Sequence, residues 1–239
     1  MTEWFEEWFG EEYLTLYPHR DDREAEQVVG LIQRTIDLPT GAVVLDVACG
    51  AGRHARAFRA AGLVAIGVDL SRHLLERARA AAGVPVVRAD MRALPIRVGS
   101  VDLAVNLFTS FGYFAADADH RTALRQMIAA VRPGGWFVLD FFNAEVVRAT
   151  VAEPSVGRMR GAVSVDKWLH DNERFVVKSI TAEDGRQFME RVRLFDRADL
   201  VEMITDAGGD VRHHFGDYLG GPPAPESPRV VIFAKVTGR

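Results

Sequence analysis

The sequence predicts an α/β fold: a doubly wound, mostly parallel seven-stranded sheet that carries a small inserted antiparallel sheet. Three observations predict it. Short apolar runs alternate with helical patterns over residues 23–142, which is typical of parallel strands joined by crossover helices. Runs that alternate apolar and polar residues then occupy residues 143–195. A helical pattern and two more strand-like runs complete the chain over residues 196–239.

Five apolar runs are predicted to form the parallel strands. Strands that are covered by helices on both faces read as nearly continuous hydrophobic segments, and these runs have that character. The five are AVVLDV from Ala42, LVAIGV from Leu63, VPVVRA from Val84, VDLAVNLF from Val101 and WFVLDFF from Trp136.

The segments between these strands repeat apolar residues at helical spacing. The repeated positions are Val28, Val29, Ile32 and Ile36, then Leu74, Leu75 and Ala78, then Leu124, Met127, Ile128 and Val131. Ser71 is a predicted N-cap, and the RPGG segment at residues 132–135 is predicted to end the last of these helices.

The remaining segments divide the chain into four predicted parts. The runs VSVDKWL, RFVVKSIT and QFMERVRLF predict a small antiparallel sheet inserted within residues 143–195, and residues 23–142 form the core. A helix from about Asp196 to Ala207, a strand near residues 211–215 and the strand RVVIFAKV complete the core sheet within residues 196–239. Residues 1–22 place aromatic side chains at helical spacing, which predicts either a helix packed on the core or a lid over the site.

The composition of the chain argues against several classes of binding partner and indicates the cellular compartment. With a net charge of −4, the chain lacks the excess of basic residues that is expected of a protein that binds along nucleic acid. No apolar run reaches membrane-spanning length, and the single cysteine, Cys49, cannot form an internal disulfide. We therefore expect a cytoplasmic protein, monomeric or homodimeric, without nucleic-acid, membrane or metal partners, in which Cys49 is a buried thiol.

The segment VVLDVACGAGRHA, residues 43–55, carries the strongest functional signal. Gly50, Gly52 and Ala55 satisfy the dinucleotide pattern G-x-G-x-x-G/A, and Asp69 ends the next strand. That pattern leaves open a nicotinamide dinucleotide and S-adenosylmethionine, since both carry a ribose diol for a carboxylate at Asp69. Asp46 favours the cationic ligand, because like charges about 4 Å apart cost about 4 kcal/mol in a partly screened site.

The motifs VLDVACGAGRHA, GVDLS, ADM, VNLFTSFGYF and RPGGWFVLDFF occur in this order over residues 24–142. As a set they resemble the consecutive motifs of class I S-adenosylmethionine-dependent methyltransferases, with a matching terminal strand pair. FTSFGYF is similar to small-molecule members such as sugar N,N-dimethyltransferases, and the Asn-Pro-Pro-Tyr motif of DNA-base methyltransferases is absent. The resemblance implies the Rossmann-like methyltransferase fold, the cofactor S-adenosylmethionine and a small acceptor.

The same resemblance implies roles near the methionine end of the cofactor. Gly50 and Gly52 would let the backbone approach it, and Asp46 would act through backbone and water-bridged contacts. Asn106 with Leu107 would receive the amino group.

Other implied contacts lie at the nucleoside and at the carboxylate. Asp69 would hold the ribose hydroxyls, with Leu70 against the adenine. Asp90 would accept from the adenine amino group while the Met91 backbone donates to the ring. Arg53 would meet the methionine carboxylate, although a surface ion pair is an equally open interpretation.

Methyl transfer from a sulfonium is an in-line displacement that needs positioning and a dry pocket rather than a covalent intermediate. An amine or hydroxyl acceptor could use a general base, for which His19, Tyr113 and Asp217 are the candidates at the mouth of the sheet. Two other functions remain open: a non-catalytic S-adenosylmethionine-binding protein or partner-dependent subunit, and an NAD(P)-dependent oxidoreductase.

Overall fold

The computed structural model describes residues 3–10, 13, 22–151, 155–160, 163–182 and 184–238. The helices in these ranges are α1 (Trp4–Trp8), α2 (Asp22–Thr35), α3 (Arg53–Ala60), α4 (Arg72–Ala82), α5 (Asp117–Ala130), α6 (Ala144–Val151) and α7 (Arg197–Asp206). The strands are β1 (Val43–Val47), β2 (Val64–Asp69), β3 (Val86–Arg88), β4 (Val101–Asn106), β5 (Val131–Phe142), β6 (Ser155–Arg160), β7 (Val163–His170), β8 (Phe175–Thr181), β9 (Gln187–Arg193), β10 (Gly209–Phe215) and β11 (Arg229–Val236).

The main sheet has seven strands in the order β10-β11-β5-β4-β1-β2-β3. β3, β2, β1, β4 and β5 pair in parallel, whereas β11 is antiparallel to both of its neighbours, β5 and β10. Chain order reverses where β4 lies beside β1, which is the switch point at which open α/β sheets form ligand crevices. The predicted doubly wound fold is confirmed.

Helices cover both faces of this sheet. Leu45 and Val47 of β1 face a core that includes Met127 of α5 and Met203 of α7. Val44 points to the opposite face and packs with residues of α2 and α3, among them Ile32 and Phe58. Alternate β1 residues are therefore buried on opposite sides, as the continuous apolar run predicts.

The inserted sheet contains four strands in the order β6-β7-β8-β9, all paired antiparallel. The prediction of an inserted antiparallel sheet is confirmed; the three runs read from the sequence form β7, β8 and β9, and β6 is a further strand. The sequence of β6, SVGRMR, lacks a sustained apolar alternation, so its strand conformation depends on pairing with β7. The domain boundaries drawn from the sequence remain predictions.

Two predicted element ends shift in the structure. Helix α5 ends at Ala130, and β5 begins at Val131 and continues through the RPGG segment. The β4–β5 register changes there, from Val101 opposite Val131 to Leu103 opposite Trp136. Gly135 is required at this bulge because an added Cβ would lie 2.6 Å from the Asp102 carbonyl oxygen.

The predicted cap of α4 is confirmed, since the Leu74 backbone N–H donates to Ser71 Oγ at 3.2 Å. Among the described helices, none is both long and apolar enough to cross a membrane. The described residues also contain no cluster of three or more His, Cys, Asp or Glu side chains that could hold a metal ion.

Candidate cofactor and acceptor site

A cavity of about 360 Å³ lies at the carboxyl edge of the main sheet. Its walls come from residues 47–51 after β1, 68–71 after β2, 89–91 after β3 and the loop after β4, with α1 forming a further side. This position is the ligand crevice expected of an open parallel sheet, and the volume falls within the range of small-molecule sites.

The turn after β1 brings backbone to the cavity. Ala48, Gly50 and Gly52 have φ angles of 60°, 54° and 79°, all in the left-handed region. Gly50 lines the cavity, whereas Gly52 lies behind it, where an added Cβ would be 3.1 Å from Ala78 Cβ. Gly50 therefore exposes the backbone to a ligand, and Gly52 allows the start of α3 to approach α4.

Cys49 lies in the same turn and is 4% exposed. Burial, followed by the charges of Asp46 and Asp69, raises the pKa of its thiol. A thiol held in its neutral form is a poor nucleophile, which agrees with the expectation of a packed side chain.

Asp46 is 1% exposed and lies beneath the cavity wall. The Ala55 backbone N–H donates to its carboxylate, but Oδ2 is buried without a hydrogen-bond partner among the described residues. Burial and the nearby Asp69 raise the pKa of Asp46 to about 7, against opposing effects of Arg53 and the Ala55 bond. An unsatisfied buried acceptor at this point fits a bridging water or a nearby cationic ligand.

Asp69 ends β2 and faces the cavity. Its Oδ2 accepts from the Gly50 backbone N–H at 2.8 Å, and its Oδ1 accepts from the Ser71 backbone N–H at 2.8 Å. Burial raises the pKa of Asp69, while the backbone bonds from Ser71, Gly50 and Leu70 oppose that rise. Each oxygen retains acceptor capacity, so the fixed carboxylate can receive two adjacent hydroxyl groups.

Asp90 and Met91 line the cavity beyond β3, but the Asp90 carboxylate already has a partner. Arg92 Nη2 lies 2.6 Å from Asp90 Oδ2, and the Arg92 backbone N–H donates to Oδ1 at 2.8 Å. Burial would raise the pKa of Asp90, yet the Arg92 hydrogen bonds outweigh it and the pKa is lowered. Arg92 Nη2 also contacts Glu3 Oε2 at 2.6 Å, which joins the N-terminal segment to this wall.

Of the expected pair Asn106 and Leu107, Leu107 lies in the cavity wall and Asn106 does not. Leu107 lines the cavity, but the Asn106 side chain is fully buried and its Nδ2 donates to the Val47 carbonyl oxygen at 3.1 Å. The Asn106 amide therefore ties β4 to β1 rather than lining the cavity, and the expected contact of Asn106 with a cofactor amino group stays a prediction. Phe108, which the sequence did not single out, occupies the wall beside Leu107.

Arg53 combines the two interpretations that the sequence left open. Its Nη1 lies 2.9 Å from Glu24 Oε2, and its guanidinium lies 4.2 Å from the centroid of the Phe108 ring. It also lines the cavity, so an ion pair and a position at the site occur together.

His54 was missed by sequence reasoning, although it follows Arg53 in the glycine-rich motif. It lines the cavity and is 6% exposed. Burial lowers its pKa well below the usual value, and the positive charges of Arg53, Arg229 and Arg56 lower it further. The imidazole is therefore neutral at physiological pH.

The three candidate bases differ in where they lie relative to the cavity. Tyr113 lines the cavity, with its ring centroid 5.2 Å from that of Trp4 and 5.6 Å from that of Phe9. Asp217 is not in the cavity wall, because its Oδ1 accepts from the Leu219 and Gly221 backbone N–H groups at 2.8 and 2.9 Å and shapes a turn. His19 lies outside the described residues.

Helix α1 connects the core to the inserted sheet across the cavity. Trp4 Nε1 donates to the Tyr113 carbonyl oxygen at 3.3 Å, and Ser71 Oγ donates to the Phe9 carbonyl oxygen at 2.5 Å. Trp8 Nε1 donates to Glu190 Oε1 of β9 at 2.8 Å. Phe5 and Phe9 line the cavity, while Phe5 is also part of the main core. This segment therefore packs on the core and also covers the cavity.

Comparison with known proteins agrees with this geometry. Residues 44–135 match the model of a methyltransferase domain. The dTDP-4-amino-2,3,4,6-tetradeoxy-D-glucose N,N-dimethyltransferase of Saccharopolyspora spinosa is 29% identical over 210 residues, which cover 84% of this chain and 81% of the relative.

Solved structures share the fold over almost the whole chain. The CcbJ methyltransferase from Streptomyces caelestis superposes with a TM-score of 0.82 at 18% identity, covering 98% of this chain and 99% of the other. CalS10 from Micromonospora echinaspora, an amino pentose methyltransferase solved with S-adenosylmethionine bound, gives a TM-score of 0.65 at 22% identity, with 95% and 96% covered. The matched domain, the relatives and the shared fold together support an S-adenosylmethionine-dependent methyltransferase, and the chain is similar to the class I members of that family.

Proposed function

We propose that this protein transfers the methyl group of S-adenosylmethionine to a small-molecule acceptor through an amine or hydroxyl group. The observation that carries the proposal is the Asp69 carboxylate, which two backbone N–H groups fix beside the Gly50 turn with acceptor capacity remaining toward the cavity. When bound, the cofactor supplies an electrophilic methyl group on a sulfonium, so no covalent enzyme intermediate is needed.

The residues present fit this cofactor. Asp69 would accept from the ribose hydroxyls, and Leu70 and Met91 offer apolar surface for the adenine. Asp46, with its unpartnered buried oxygen, supplies negative potential behind the turn. Two carboxyl groups here oppose a pyrophosphate, which supports a cationic ligand over a nicotinamide dinucleotide.

Asp90 and Arg53 are the less direct members of the proposed cofactor site. The carboxylate of Asp90 keeps lone pairs beyond its Arg92 bonds, so it can still accept from an amino group at the cavity. Arg53 offers a guanidinium in the cavity wall while it remains paired with Glu24. The position of each side chain in the wall supports both proposed roles.

The acceptor side is aromatic. Phe5, Phe9, Tyr13, Tyr113 and Phe114 line the cavity, and ring faces of this kind attract ammonium groups and exclude water. This wall supports an amine as the preferred acceptor. Tyr113 is the side chain we propose to orient the acceptor and hold its proton, because it is the one of the three candidate bases that the described cavity wall contains.

The test is to incubate the protein with S-adenosylmethionine that carries a labelled methyl group and with a bacterial lysate separated into small-molecule, protein and nucleic-acid fractions. We expect label in the small-molecule fraction, and none with the Asp69→Ala variant. Label in a macromolecule would overturn the substrate class.

Two other results would favour the remaining functions. Binding of S-adenosylmethionine without transfer to any fraction would favour a binding protein or a partner-dependent subunit. Binding of NADH with no binding of S-adenosylmethionine would favour the oxidoreductase.

A further inference from the structure

Asp140 of β5 is fully buried, and its carboxylate is the centre of a hydrogen-bond cluster behind the cavity. Its Oδ2 accepts from the Phe108 backbone N–H at 2.8 Å and from Tyr218 Oη at 2.7 Å. Its Oδ1 accepts from Arg229 Nε at 2.8 Å. The buried charge is therefore paired and hydrogen-bonded by groups from three separate segments.

The backbone that this cluster holds is strained. Phe108 and Thr109 have φ angles of 59° and 60°, consecutive left-handed positions without glycine. The Thr109 N–H donates to the Asp140 carbonyl oxygen at 3.0 Å, and Thr109 Oγ1 accepts from the Phe142 N–H at 3.0 Å. A conformation of this kind persists only where its surroundings over-determine it, and such residues concentrate at functional sites.

The strained turn sets the position of an aromatic ring in the cavity wall. The Phe108 ring has the Arg53 guanidinium 4.2 Å from its centroid and the Arg229 guanidinium 5.5 Å from it. Leu107 and Ser110, on either side of the turn, also line the cavity. Asp140, Tyr218 and Arg229 are not in the wall themselves, so any effect on a ligand passes through Phe108 and its neighbours.

We propose that Asp140, Tyr218 and Arg229 form a positioning cluster that fixes the Leu107–Phe108 wall and thereby sets the affinity for the cofactor. Burial and the Asp140 charge raise the pKa of the Tyr218 phenol, so the hydroxyl remains a donor across the physiological range. The inference rests on the proposed function in that S-adenosylmethionine is taken as the ligand.

A matched control lies at the other end of the same strands. Asp102 of β4 accepts from the Val43 backbone N–H at 2.7 Å and from Arg132 Nε, so it too joins a backbone amide to an arginine. It lies at the amino edge of the sheet, away from the cavity wall. A loss of general stability should therefore follow from changing either aspartate, but a loss of affinity only from changing Asp140.

The experiment measures the calorimetric affinity for S-adenosylhomocysteine, the non-reactive product of methyl transfer, and the melting temperature of four proteins: wild type, Tyr218→Phe, Asp140→Asn and Asp102→Asn. We expect affinity to fall about 5-fold for Tyr218→Phe, which loses one hydrogen bond, and about 30-fold for Asp140→Asn. Asp102→Asn should lower the melting temperature and leave the affinity within about twofold of wild type. Tyr218→Phe keeps the ring and provides the test if Asp140→Asn does not fold.

Wild-type affinity in Tyr218→Phe, or equal losses in Asp140→Asn and Asp102→Asn, would overturn the positioning role while leaving the proposed function intact. A wild-type protein that binds no S-adenosylhomocysteine would overturn both.

Discussion

The two edges of the main sheet use similar residues in different ways. At the amino edge, both carboxylate oxygens of Asp102 have a hydrogen-bond donor, the Val43 N–H or the Arg132 guanidinium. At the carboxyl edge, Asp46 and Asn106 each keep a buried oxygen without a hydrogen-bond partner among the described residues. The carboxyl edge also contains the left-handed residues Ala48 and Phe108.

This difference distinguishes residues that stabilise the sheet from residues that we propose serve the cofactor site. Unsatisfied buried acceptors and strained backbone both cost free energy, so a fold retains them where function requires them. Asp46, Asn106, Ala48 and Phe108 all lie at the carboxyl edge, where ligands of parallel sheets bind, whereas the left-handed residues 171–173 lie in the β7–β8 turn. Substitutions at the carboxyl edge should therefore alter binding or turnover, and equivalent substitutions elsewhere should not.

The largest effect is expected for Asp69→Ala. The change removes the proposed ribose acceptor and leaves the Gly50 and Ser71 N–H groups without their partner. Hydrogen bonds to a charged group contribute about 1.5–3 kcal/mol each, so the affinity for S-adenosylmethionine should fall by about 100-fold or more in calorimetry. Asp102→Ala is the control at the amino edge, and an equal loss there would contradict the comparison.

Removal of a large side chain from α1, the helix that covers the cavity, should lower the rate of methyl transfer more than the affinity for the cofactor. Trp8 is 2% exposed, and its indole N–H bonds to Glu190 of the inserted sheet. We expect Trp8→Ala to lower the rate of methyl transfer by about 10- to 100-fold, because α1 loses its contact with the inserted sheet and excludes water from the cavity less well. Affinity for the cofactor should fall by less than the rate.

Trp168→Ala provides the matched control, since Trp168 is 37% exposed on the same inserted sheet. Its rate should equal that of wild type. Unchanged turnover in Trp8→Ala would show that α1 only packs on the core, and loss of all structure would show that it is required for folding.

Asp46→Asn should change how stability depends on pH. Because the folded-state pKa is raised from 3.8 to about 7, the protonated side chain stabilises the fold fully below the unfolded value. That contribution, on the order of 4 kcal/mol, is lost as pH rises through about 7. Urea unfolding at pH 5 and pH 8 should show a smaller pH dependence in Asp46→Asn than in wild type.

The same variant should bind S-adenosylmethionine more weakly at pH 8, since the negative charge behind the turn is gone. A pH dependence identical to that of wild type would show that Asp46 does not titrate as its burial requires.

The smallest effect is expected for Arg92→Gln. Arg92 joins Glu3 to Asp90, but its side chain is 25% exposed and such pairs contribute about 0–1 kcal/mol. Affinity for the cofactor should fall about two- to fivefold at low ionic strength and less at high salt. Arg72→Gln, which breaks an exposed pair within α4, should have no effect on affinity.

The sequence was informative where structure depends on neighbours along the chain. Apolar runs and their breakers predicted the strands of the main sheet, and the Ser71 cap followed from a local pattern. The turn at Gly50 and the aspartate that ends β2 could be identified because the motif places both within one strand-turn-helix unit and the strand beside it. The order of the motifs also predicted the similarity to methyltransferases that the comparisons show.

Features that depend on distant contacts were not predictable. β6 forms by pairing rather than by its own pattern, and the buried direction of Asn106 depends on Val47 of the neighbouring strand. Asp140 and Arg229 are 89 residues apart in sequence, so no local signal joins them. His54 had a usable signal, since it occupies the first turn of the helix that follows the glycine-rich loop.

Hydrogen exchange with and without S-adenosylmethionine compares ligand protection at both edges of the sheet in one experiment. We expect slower exchange on binding in residues 47–53, 69–71, 89–92 and 107–114, with no change around Asp102 and Arg132 at the amino edge. Protection confined to other segments, or equal protection at both edges, would contradict the assignment of the cofactor site to the carboxyl edge.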